Sequence, residues 1–299
     1  MNSKLLLRKR PLVMGILNMT PDSLYASELS RSDSSADLKT LRVRIEKMIA
    51  DGASIIDVGG ESTAPGSSYI PANEEWERIH PALEILKELK KNGSSILISV
   101  DTYKSEVFKM ACDYGVDMLN DITALRGDPY MVGLVAESRV KVCLMYCIVP
   151  LSAKESRARV TNSEVDYTDV IKTIGDFWRE RINFATAQGI APDKIILDPG
   201  MGAFVSGDPK YSFEVLNRFR ELKDLFSKFP LLVGASRKGF TGTVRLPDGG
   251  FEKRLSVEDR LIPSLAAATL ALRNGADILR VHDVKEMKQV VDFFSCFRA

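Results

Sequence analysis

The sequence of 299 residues carries 41 lysines and arginines against 40 aspartates and glutamates, a formal net charge of +1. This balance argues against a nucleic-acid-binding protein, which usually shows a basic excess or stripe. The hydrophobic fraction of 45% is ordinary for a globular chain. No apolar run approaches the roughly 18 residues that span a bilayer. We therefore expect a protein with a large core and with no membrane or nucleic-acid partner.

The cysteines and the N-terminal residues both predict a cytoplasmic location. The apolar stretch 5–7 is far shorter than the core of a secretory signal. The cysteines lack the spacing of a disulfide framework, and no histidines lie near enough in sequence to complete a zinc site. Free buried thiols are predicted at all four of them: Cys112, Cys143, Cys147 and Cys296.

Short apolar runs, typical of parallel strands covered by helices, alternate with amphipathic stretches along the chain. The predicted strands are 12–18, 54–58, 96–101, 117–121, 141–146, 194–198, 231–236 and 277–282. The predicted helices include 38–50, 74–91, 104–114, 165–188, 213–228 and 257–273, the last kinked at Pro263. The pattern predicts an α/β fold, a (β/α)₈ TIM barrel, as one domain over residues 1–299 with an N-terminal extension at 1–10. A doubly wound sheet is the alternative, but the first strand lacks a glycine-rich phosphate turn after it.

The connections between elements differ in length at the two ends of the predicted barrel. A glycine follows five of the helical stretches at the position where a left-handed backbone ends a helix: Gly52, Gly93, Gly115, Gly189 and Gly275. The strand-to-helix connections are often long, at 59–73, 147–164, 199–211 and 237–256. The active sites of α/β barrels lie on the rim that carries those connections. This asymmetry favours an enzyme.

Polar side chains occur at or just beyond the ends of seven predicted strands. Singly, each has an ordinary structural explanation: Asp101 would serve as the N-cap of a helix, and Asp198 would belong to a turn. Together they would meet at one rim, where unpaired polar groups cost desolvation energy. The set comprises Asn18, Thr20, Asp22, Asp57, Glu61, Ser62, Thr63, Asp101, Thr102, Asn120, Asp121, Asp198, Ser236, Arg237, Lys238, Arg280, His282 and Asp283.

The residue types in this set indicate a heterocycle beside a phosphate group. Asp101, Asn120, Asp198 and Lys238 alternate acceptors and donors, which suits the edge of a planar ring with amide and amino groups. The residues Arg237, Lys238, Arg280 and His282 gather positive charge on the last two strands, where barrels often hold phosphate. Asn18 could give an oxygen ligand to Mg²⁺ on a pyrophosphate. The residues alone do not name the heterocycle.

Seven motifs resemble those of the dihydropteroate synthase family, in the same order and over nearly the whole chain. The two long ones are 14–23 (Met-Gly-Ile-Leu-Asn-Met-Thr-Pro-Asp-Ser) and 52–63 (Gly-Ala-Ser-Ile-Ile-Asp-Val-Gly-Gly-Glu-Ser-Thr). The short ones are 99–102 (Ser-Val-Asp-Thr), 120–122 (Asn-Asp-Ile), 197–200 (Leu-Asp-Pro-Gly), 235–240 (Ala-Ser-Arg-Lys-Gly-Phe) and 280–283 (Arg-Val-His-Asp).

The resemblance implies a barrel enzyme of folate synthesis. It would condense 6-hydroxymethyl-7,8-dihydropterin pyrophosphate with p-aminobenzoate, releasing pyrophosphate and 7,8-dihydropteroate. The pterin would lie on Asp101, Asn120, Asp198 and Lys238, and the pyrophosphate on Asn18, Arg280 and His282, with Mg²⁺ at Asn18. The first two strand-to-helix loops, with Asp22, Ser62 and Thr63, would build the p-aminobenzoate pocket, and Asp22 would stabilise a cationic pterin intermediate. The implied catalytic residues are Asp22, Lys238, Arg280 and His282, in a homodimer formed through the last helices.

Three departures from the family pattern fall near the predicted second-substrate pocket. Ala64 stands where the family has arginine, and Tyr146-Cys147 follows Leu144-Met145 where the family often has a His-Met pair. The loop 200–205, with Phe204, resembles that of the sulfonamide-insensitive branch of the family. We therefore expect Met145 and Phe204 to contact substrate, and p-aminobenzoate and sulfonamide recognition to be altered.

Two other functions are compatible with a pterin-binding barrel. One is a methyltransferase that takes a methyl group from methyltetrahydrofolate to a corrinoid partner, which would not need Arg280 and His282 for pyrophosphate. The other is a catalytically silent pterin-binding paralogue, which Ala64 and the changed loop after the fifth strand would favour. Release of pyrophosphate distinguishes the synthase from both.

Overall fold

A computed structural model describes residues 10–20, 34–62, 68–148 and 165–297. Its strands are β1 (Leu12–Asn18), β2 (Ile55–Gly59), β3 (Leu97–Asp101), β4 (Met118–Asp121), β5 (Lys141–Met145), β6 (Ile195–Asp198), β7 (Leu232–Val233), β8 (Thr243–Arg245), β9 (Phe251–Lys253) and β10 (Ile278–Val281). Its α-helices are α1 (Ser34–Ala50), α2 (Ala72–Lys91), α3 (Ser105–Cys112), α4 (Met131–Glu137), α5 (Val170–Ala187), α6 (Pro209–Leu225), α7 (Leu261–Arg273) and α8 (Val284–Ser295).

Eight parallel strands form the sheet, in the order β6-β5-β4-β3-β2-β1-β10-β7. A parallel bridge between Leu197 and Leu231 joins β6 to the start of β7, so the sheet curls into a nearly closed barrel. Helices cover its outside. The predicted (β/α)₈ barrel is confirmed, and β8 and β9 form a separate antiparallel hairpin between β7 and α7. No helix in the described ranges is long and apolar enough to cross a membrane.

Side chains alternate along each strand between the interior of the barrel and the outer core that packs against the helices. Met14 and Ile55 belong to an inner apolar cluster, whereas their neighbours Val13 and Ile56 belong to the outer core. The inner cluster fills the barrel toward the amino ends of its strands, with the residues Leu12, Met14, Ile55, Leu97, Met118, Cys143, Ile196, Leu232 and Ile278. Two residues further along, polar side chains take the inward positions on five of these strands, at Asp57, Ser99, Asn120, Asp198 and Arg280. The apolar floor therefore supports a polar layer.

The predicted helix ends are confirmed, because all five glycines have positive φ, from 74° at Gly115 to 103° at Gly275. Several predicted bounds were wrong: α5 begins at Val170 rather than at 165, and α6 begins at Pro209 rather than at 213. The helix predicted from 257 begins at Leu261, so Pro263 lies in its first turn, where a missing N–H breaks no helical hydrogen bond and no kink is needed. The strand predicted over 231–236 keeps only Leu232–Val233, because the chain turns at Arg237 with φ of 54°.

Thiol positions match the predictions in part. All four cysteines are free, and Cys143 and Cys147 are buried. Cys112 is only partly buried and Cys296 is exposed, because both lie near the carboxyl ends of outer helices rather than in the barrel.

Candidate active site

The centre of the polar layer is the carboxylate of Asp57, which is fully buried inside the barrel on β2. Its Oδ1 accepts a hydrogen bond from Oγ of Ser99 at 2.6 Å. Its Oδ2 accepts from Nδ2 of Asn120 at 3.0 Å and from Nε of Arg280 at 2.6 Å. A buried carboxylate needs such donors, because each unpaired charge in a low dielectric is costly. Asp57 thus joins four strands: β2, β3, β4 and β10.

Arg280 lies between two carboxylates. Its Nη2 donates to Oδ2 of Asp101 at 2.6 Å while its Nε donates to Asp57. Burial alone would lower the pKa of Arg280, but Asp57 and Asp101 outweigh it and raise the pKa above its usual value. The guanidinium is therefore a fixed cation in the middle of the layer.

Asp198 and Lys238 form the other half of the layer. Asp198 is buried at the end of β6, and its Oδ1 accepts the backbone N–H of Gly200 at 2.8 Å. Burial raises the pKa of Asp198 to about 6, although the Gly200 N–H, Lys238 and Arg280 oppose the rise. Burial and the charge of Arg280 lower the pKa of Lys238 to about 8. Both groups titrate within about one unit of neutral pH, which is typical of functional sites.

An apolar patch borders Lys238 at the mouth of the barrel. It consists of Ile122, Met145, Cys147 and Phe204. The Lys238 ammonium lies 4.2 Å from the centre of the Phe204 ring, a cation–π distance. A planar molecule could lie against this patch while its edge meets the polar layer.

Tyr146 faces away from this patch. Its hydroxyl lies 3.0 Å from that of Tyr167, and its ring packs edge-on against Phe177 of α5. Tyr146 and Cys147 are the two residues after β5 that differ from the family pattern, and only Cys147 faces the mouth of the barrel. Tyr146 packs under α5 rather than on this patch, because side chains alternate along β5 and its continuation.

The predicted concentration of positive charge at β7 and β10 was also wrong in part. Arg237 donates from Nε and Nη2 to the two carboxylate oxygens of Asp283, at 2.9 and 2.6 Å, and so holds the chain after β7 against β10. Burial and Arg280 lower the pKa of His282 to about 4, so this imidazole is neutral at pH 7. Its Nδ1 lies 3.1 Å from Oγ of Ser236, and that oxygen accepts the backbone N–H of His282. If the hydroxyl donates its proton to Nδ1, the ring proton lies on Nε2.

The structure brings together most of the predicted site residues. Asp101, Asn120 and Arg280 are joined through the hydrogen bonds described above, and Asp198 and Lys238 lie near enough to Arg280 for its charge to lower the pKa of both. Asn18 is the last residue of β1 and pairs with Gly59 of β2, which pairs with Asp101 of β3. Asn18 and Asp101 therefore lie at the same level of the barrel. Ser62 lies a few residues beyond β2 on the same rim. Asp22, Thr63 and Ala64 fall outside the described residues.

The sequence predicts no role for Asp57, although this residue belongs to the polar set at the strand ends. The available signal was an aspartate inside the apolar run Ile55-Ile56-Asp57-Val58, because a charge within a buried strand requires a partner inside the barrel. That partner, Arg280, is 223 positions away, and the pairing of β2 and β10 on either side of β1 brings the two together.

Comparisons with known proteins agree with this geometry. A family model described as pterin binding enzyme matches residues 14–282. The type-3 dihydropteroate synthase of Escherichia coli is 34% identical over 281 residues, covering 93% of this chain and 96% of its own length. The chain belongs to the dihydropteroate synthase family. The folic acid synthesis protein fol1 of Pneumocystis carinii is 38% identical over 93% of the chain, which spans only 35% of that longer protein.

A solved relative shares the whole barrel. The dihydropteroate synthase of Clostridium difficile, determined in the presence of pteroic acid, superimposes with a TM-score of 0.80 at 36% identity, covering 97% of both chains. The synthase of Xanthomonas albilineans with 4-aminobenzoic acid gives a TM-score of 0.79 at 33% identity over 97% of this chain and 94% of its own.

Replacing the central carboxylate should destabilise the barrel. Asp57→Asn keeps the shape but leaves Arg280 buried with one carboxylate fewer, so we expect the free energy of unfolding to fall by about 3 kcal/mol. Urea unfolding measures it. Asp176→Asn removes an exposed partner of Lys172 and Arg179 on α5 and should leave the free energy of unfolding nearly unchanged. Equal losses in the two variants would contradict the central place of Asp57.

Proposed function

We propose that this protein condenses 6-hydroxymethyl-7,8-dihydropterin pyrophosphate with p-aminobenzoate to give 7,8-dihydropteroate and pyrophosphate. The observation that carries the proposal is the buried layer in which Asp57, Arg280 and Asp101 are joined and in which Asp198 and Lys238 titrate near neutral pH. Membership of the dihydropteroate synthase family over nearly the whole chain supports the same reaction.

The pterin would bind on the polar layer. The carboxylates of Asp101 and Asp198 would accept from ring and exocyclic N–H groups, while Asn120 and Lys238 would donate to ring nitrogen and oxygen. Asn120 is held by Asp57, which takes one of its amide N–H bonds and so fixes the direction of the other. A preorganised set of donors and acceptors binds the heterocycle with little loss of side-chain entropy.

The pyrophosphate would lie toward Asn18, Arg280 and His282. His282 is neutral, so its Nε2 would donate a hydrogen bond to the pyrophosphate and would not contribute a positive charge. The described residues contain no group of three histidine, cysteine, aspartate or glutamate side chains able to hold a metal. Mg²⁺ typically uses one or two protein ligands with water and substrate phosphates, and the amide oxygen of Asn18 at the end of β1 would be its protein ligand here. Bound there, the ion would neutralise charge on the leaving group.

The rest of the reaction needs little proton transfer. Departure of pyrophosphate leaves a pterin methylene cation, and the buried carboxylates of Asp57, Asp101 and Asp198 supply negative charge around it. The amine of p-aminobenzoate is uncharged at pH 7 and attacks without a strong base, and the proton that the nitrogen then loses goes to the released pyrophosphate. Ser62, Met145 and Phe204 would contact this second substrate, with Thr63 and the cation stabiliser Asp22. Exclusion of water from the site would prevent hydrolysis of the cation.

Two substitutions should separate the halves of the site. With Mg²⁺ and both substrates, the protein should release pyrophosphate and form dihydropteroate. Lys238→Ala should mainly weaken pterin binding, whereas His282→Ala should mainly lower kcat by impairing departure of pyrophosphate, each by about 10²-fold. Calorimetry and a pyrophosphate-release assay measure the two effects. A protein that binds the pterin but releases no pyrophosphate would refute the synthase.

The pH dependence should follow Asp198 and Lys238. Below about pH 6 the Asp198 carboxyl gains a proton and stops accepting from the ring, and above about pH 8 Lys238 loses its charge. We therefore expect kcat/KM for the pterin pyrophosphate to be bell-shaped, with limbs near those values. Lys238→Arg should abolish the alkaline limb, because arginine stays protonated. An unchanged alkaline limb in that variant would exclude Lys238 as its source.

Altered sulfonamide recognition is a further part of the proposal. Phe204 and Cys147 both face the mouth beside Met145, so the family differences at 147 and 200–205 adjoin the second-substrate patch. Resistance to sulfonamides is expected to appear as a high ratio of the sulfonamide inhibition constant to the KM for p-aminobenzoate. A ratio equal to that of a sulfonamide-sensitive synthase assayed alongside would refute it.

We also propose a cytoplasmic homodimer that forms through the last helices. Ile262 on α7 is 77% exposed, Phe293 on α8 is 69% exposed, and Phe297 just beyond it is 70% exposed, an unusual set of large apolar side chains on adjacent helices. Four free thiols suit a reducing compartment. Analytical ultracentrifugation should show a dimer that Ile262→Lys weakens.

A further inference from the structure

A second cluster of buried charges lies outside the polar layer, beside the ends of β2 and β3. The ammonium of Lys104 donates to Oε2 of Glu61 at 2.5 Å and also to Oε2 of Glu75. All three side chains are at most 8% exposed. Burial raises the pKa of Glu75, and the charge of Lys104 opposes that rise. Because burying three charges is costly, and because the proposed reaction uses none of them, the cluster calls for another explanation.

The three charged residues come from different parts of the chain. Glu61 follows β2, Glu75 lies in the first turn of α2, and Lys104 immediately precedes α3. A Cβ on Gly60 would lie 2.9 Å from the carbonyl oxygen of Glu75, so only glycine allows this close approach. Nη1 of Arg78 also donates to the carbonyl oxygen of Gly60 at 3.0 Å. The chain that leaves β2 is therefore held against α2 and against the chain that leaves β3.

Lys104 contacts the chain on both sides of the segment 62–68. Before the segment it pairs with Glu61, and after it the ammonium lies 5.0 Å from the centre of the Tyr69 ring. The hydroxyl of Tyr103 adds a hydrogen bond to Oε1 of Glu61 at 3.3 Å. One buried cation thus fixes the two ends of the connection that carries Ser62.

We infer that Lys104 is a positioning residue for the p-aminobenzoate side of the site, acting through Glu61 and Tyr69. This inference rests on the proposed function, in which the chain around Ser62 contacts p-aminobenzoate. The pterin side has its own support, because Asp101 is held in the sheet and by Arg280. The cluster should therefore govern the affinity for one substrate and not for the other.

Three substitutions test this division. Glu61→Ala removes the contact before the segment and leaves Lys104 in a neutral pair with Glu75, so we expect the KM for p-aminobenzoate to rise about tenfold. Glu61→Gln keeps an oxygen that can accept from Lys104 and should restore most of the affinity. Tyr69→Leu removes the contact after the segment and should raise the same KM about threefold, without leaving a buried charge unpaired. The Kd of the pterin pyrophosphate, measured by calorimetry, should change less than about twofold in all three.

A matched control comes from the opposite rim. Asp117 accepts from Nζ of Lys90 at 2.7 Å and from the backbone N–H of Ile98 at 2.9 Å, so Asp117→Asn also removes a charge from a partly buried lysine pair. It should lower Tm and leave both substrate affinities unchanged. Glu61→Ala behaving like this control, or weakening both substrates equally, would overturn the inference. A wild-type protein that forms no dihydropteroate would instead overturn the proposed function.

Discussion

The ion pair between Asp57 and Arg280 is the interaction on which the site depends. It joins β2 to β10 across β1 inside the barrel, and through Ser99 and Asn120 it extends to β3 and β4. A pair of this kind adds little net stability compared with an apolar core, but it is expensive to break. The contribution of this ion pair is geometric. The Asp57 carboxylate orients Asn120 and Arg280, which would contact a substrate, and need not contact the substrate itself.

Most of the cationic side chains at this rim are paired or neutral before any ligand arrives. Arg280 lies between two carboxylates, Arg237 is paired with Asp283, and His282 is neutral. A site with unpaired cations would attract any anion, whereas this one favours a ligand that presents hydrogen-bonding edges together with a phosphate group. Selectivity then comes from matching several polar groups at once, because a ligand that lacks them leaves buried groups unsatisfied.

The sequence predicted the barrel well, and the reasons are physical. Continuous apolar runs predict strands, and glycines just after helical stretches predict helix ends. Gly52 and Gly275 have the positive φ that such an end requires, and neither signal depends on the rest of the fold. The seven-residue helix α4 and the β8–β9 hairpin were not predicted, because short elements carry little periodicity and α4 contains a glycine. Charge pairing was the other failure. Nothing in the chain near Arg280 reveals that its partners lie on β2 and β3, and nothing near Lys104 reveals that its partners lie after β2 and on α2. Those contacts exist only in the folded barrel.

The shortness of β7 has a consequence for how the barrel opens. Only two residues of β7 pair with β10, and a single bridge joins it to β6, so this seam has far fewer backbone hydrogen bonds than the one between β1 and β2. Local unfolding proceeds through the least-bonded part of a structure, and its free energy is smaller than that of global unfolding. Amide protons along β7 should therefore exchange with solvent before those of β2. Because Lys238 follows β7, local opening of β7 would displace Lys238. The side of the pocket formed by β2 and β3 would keep its structure.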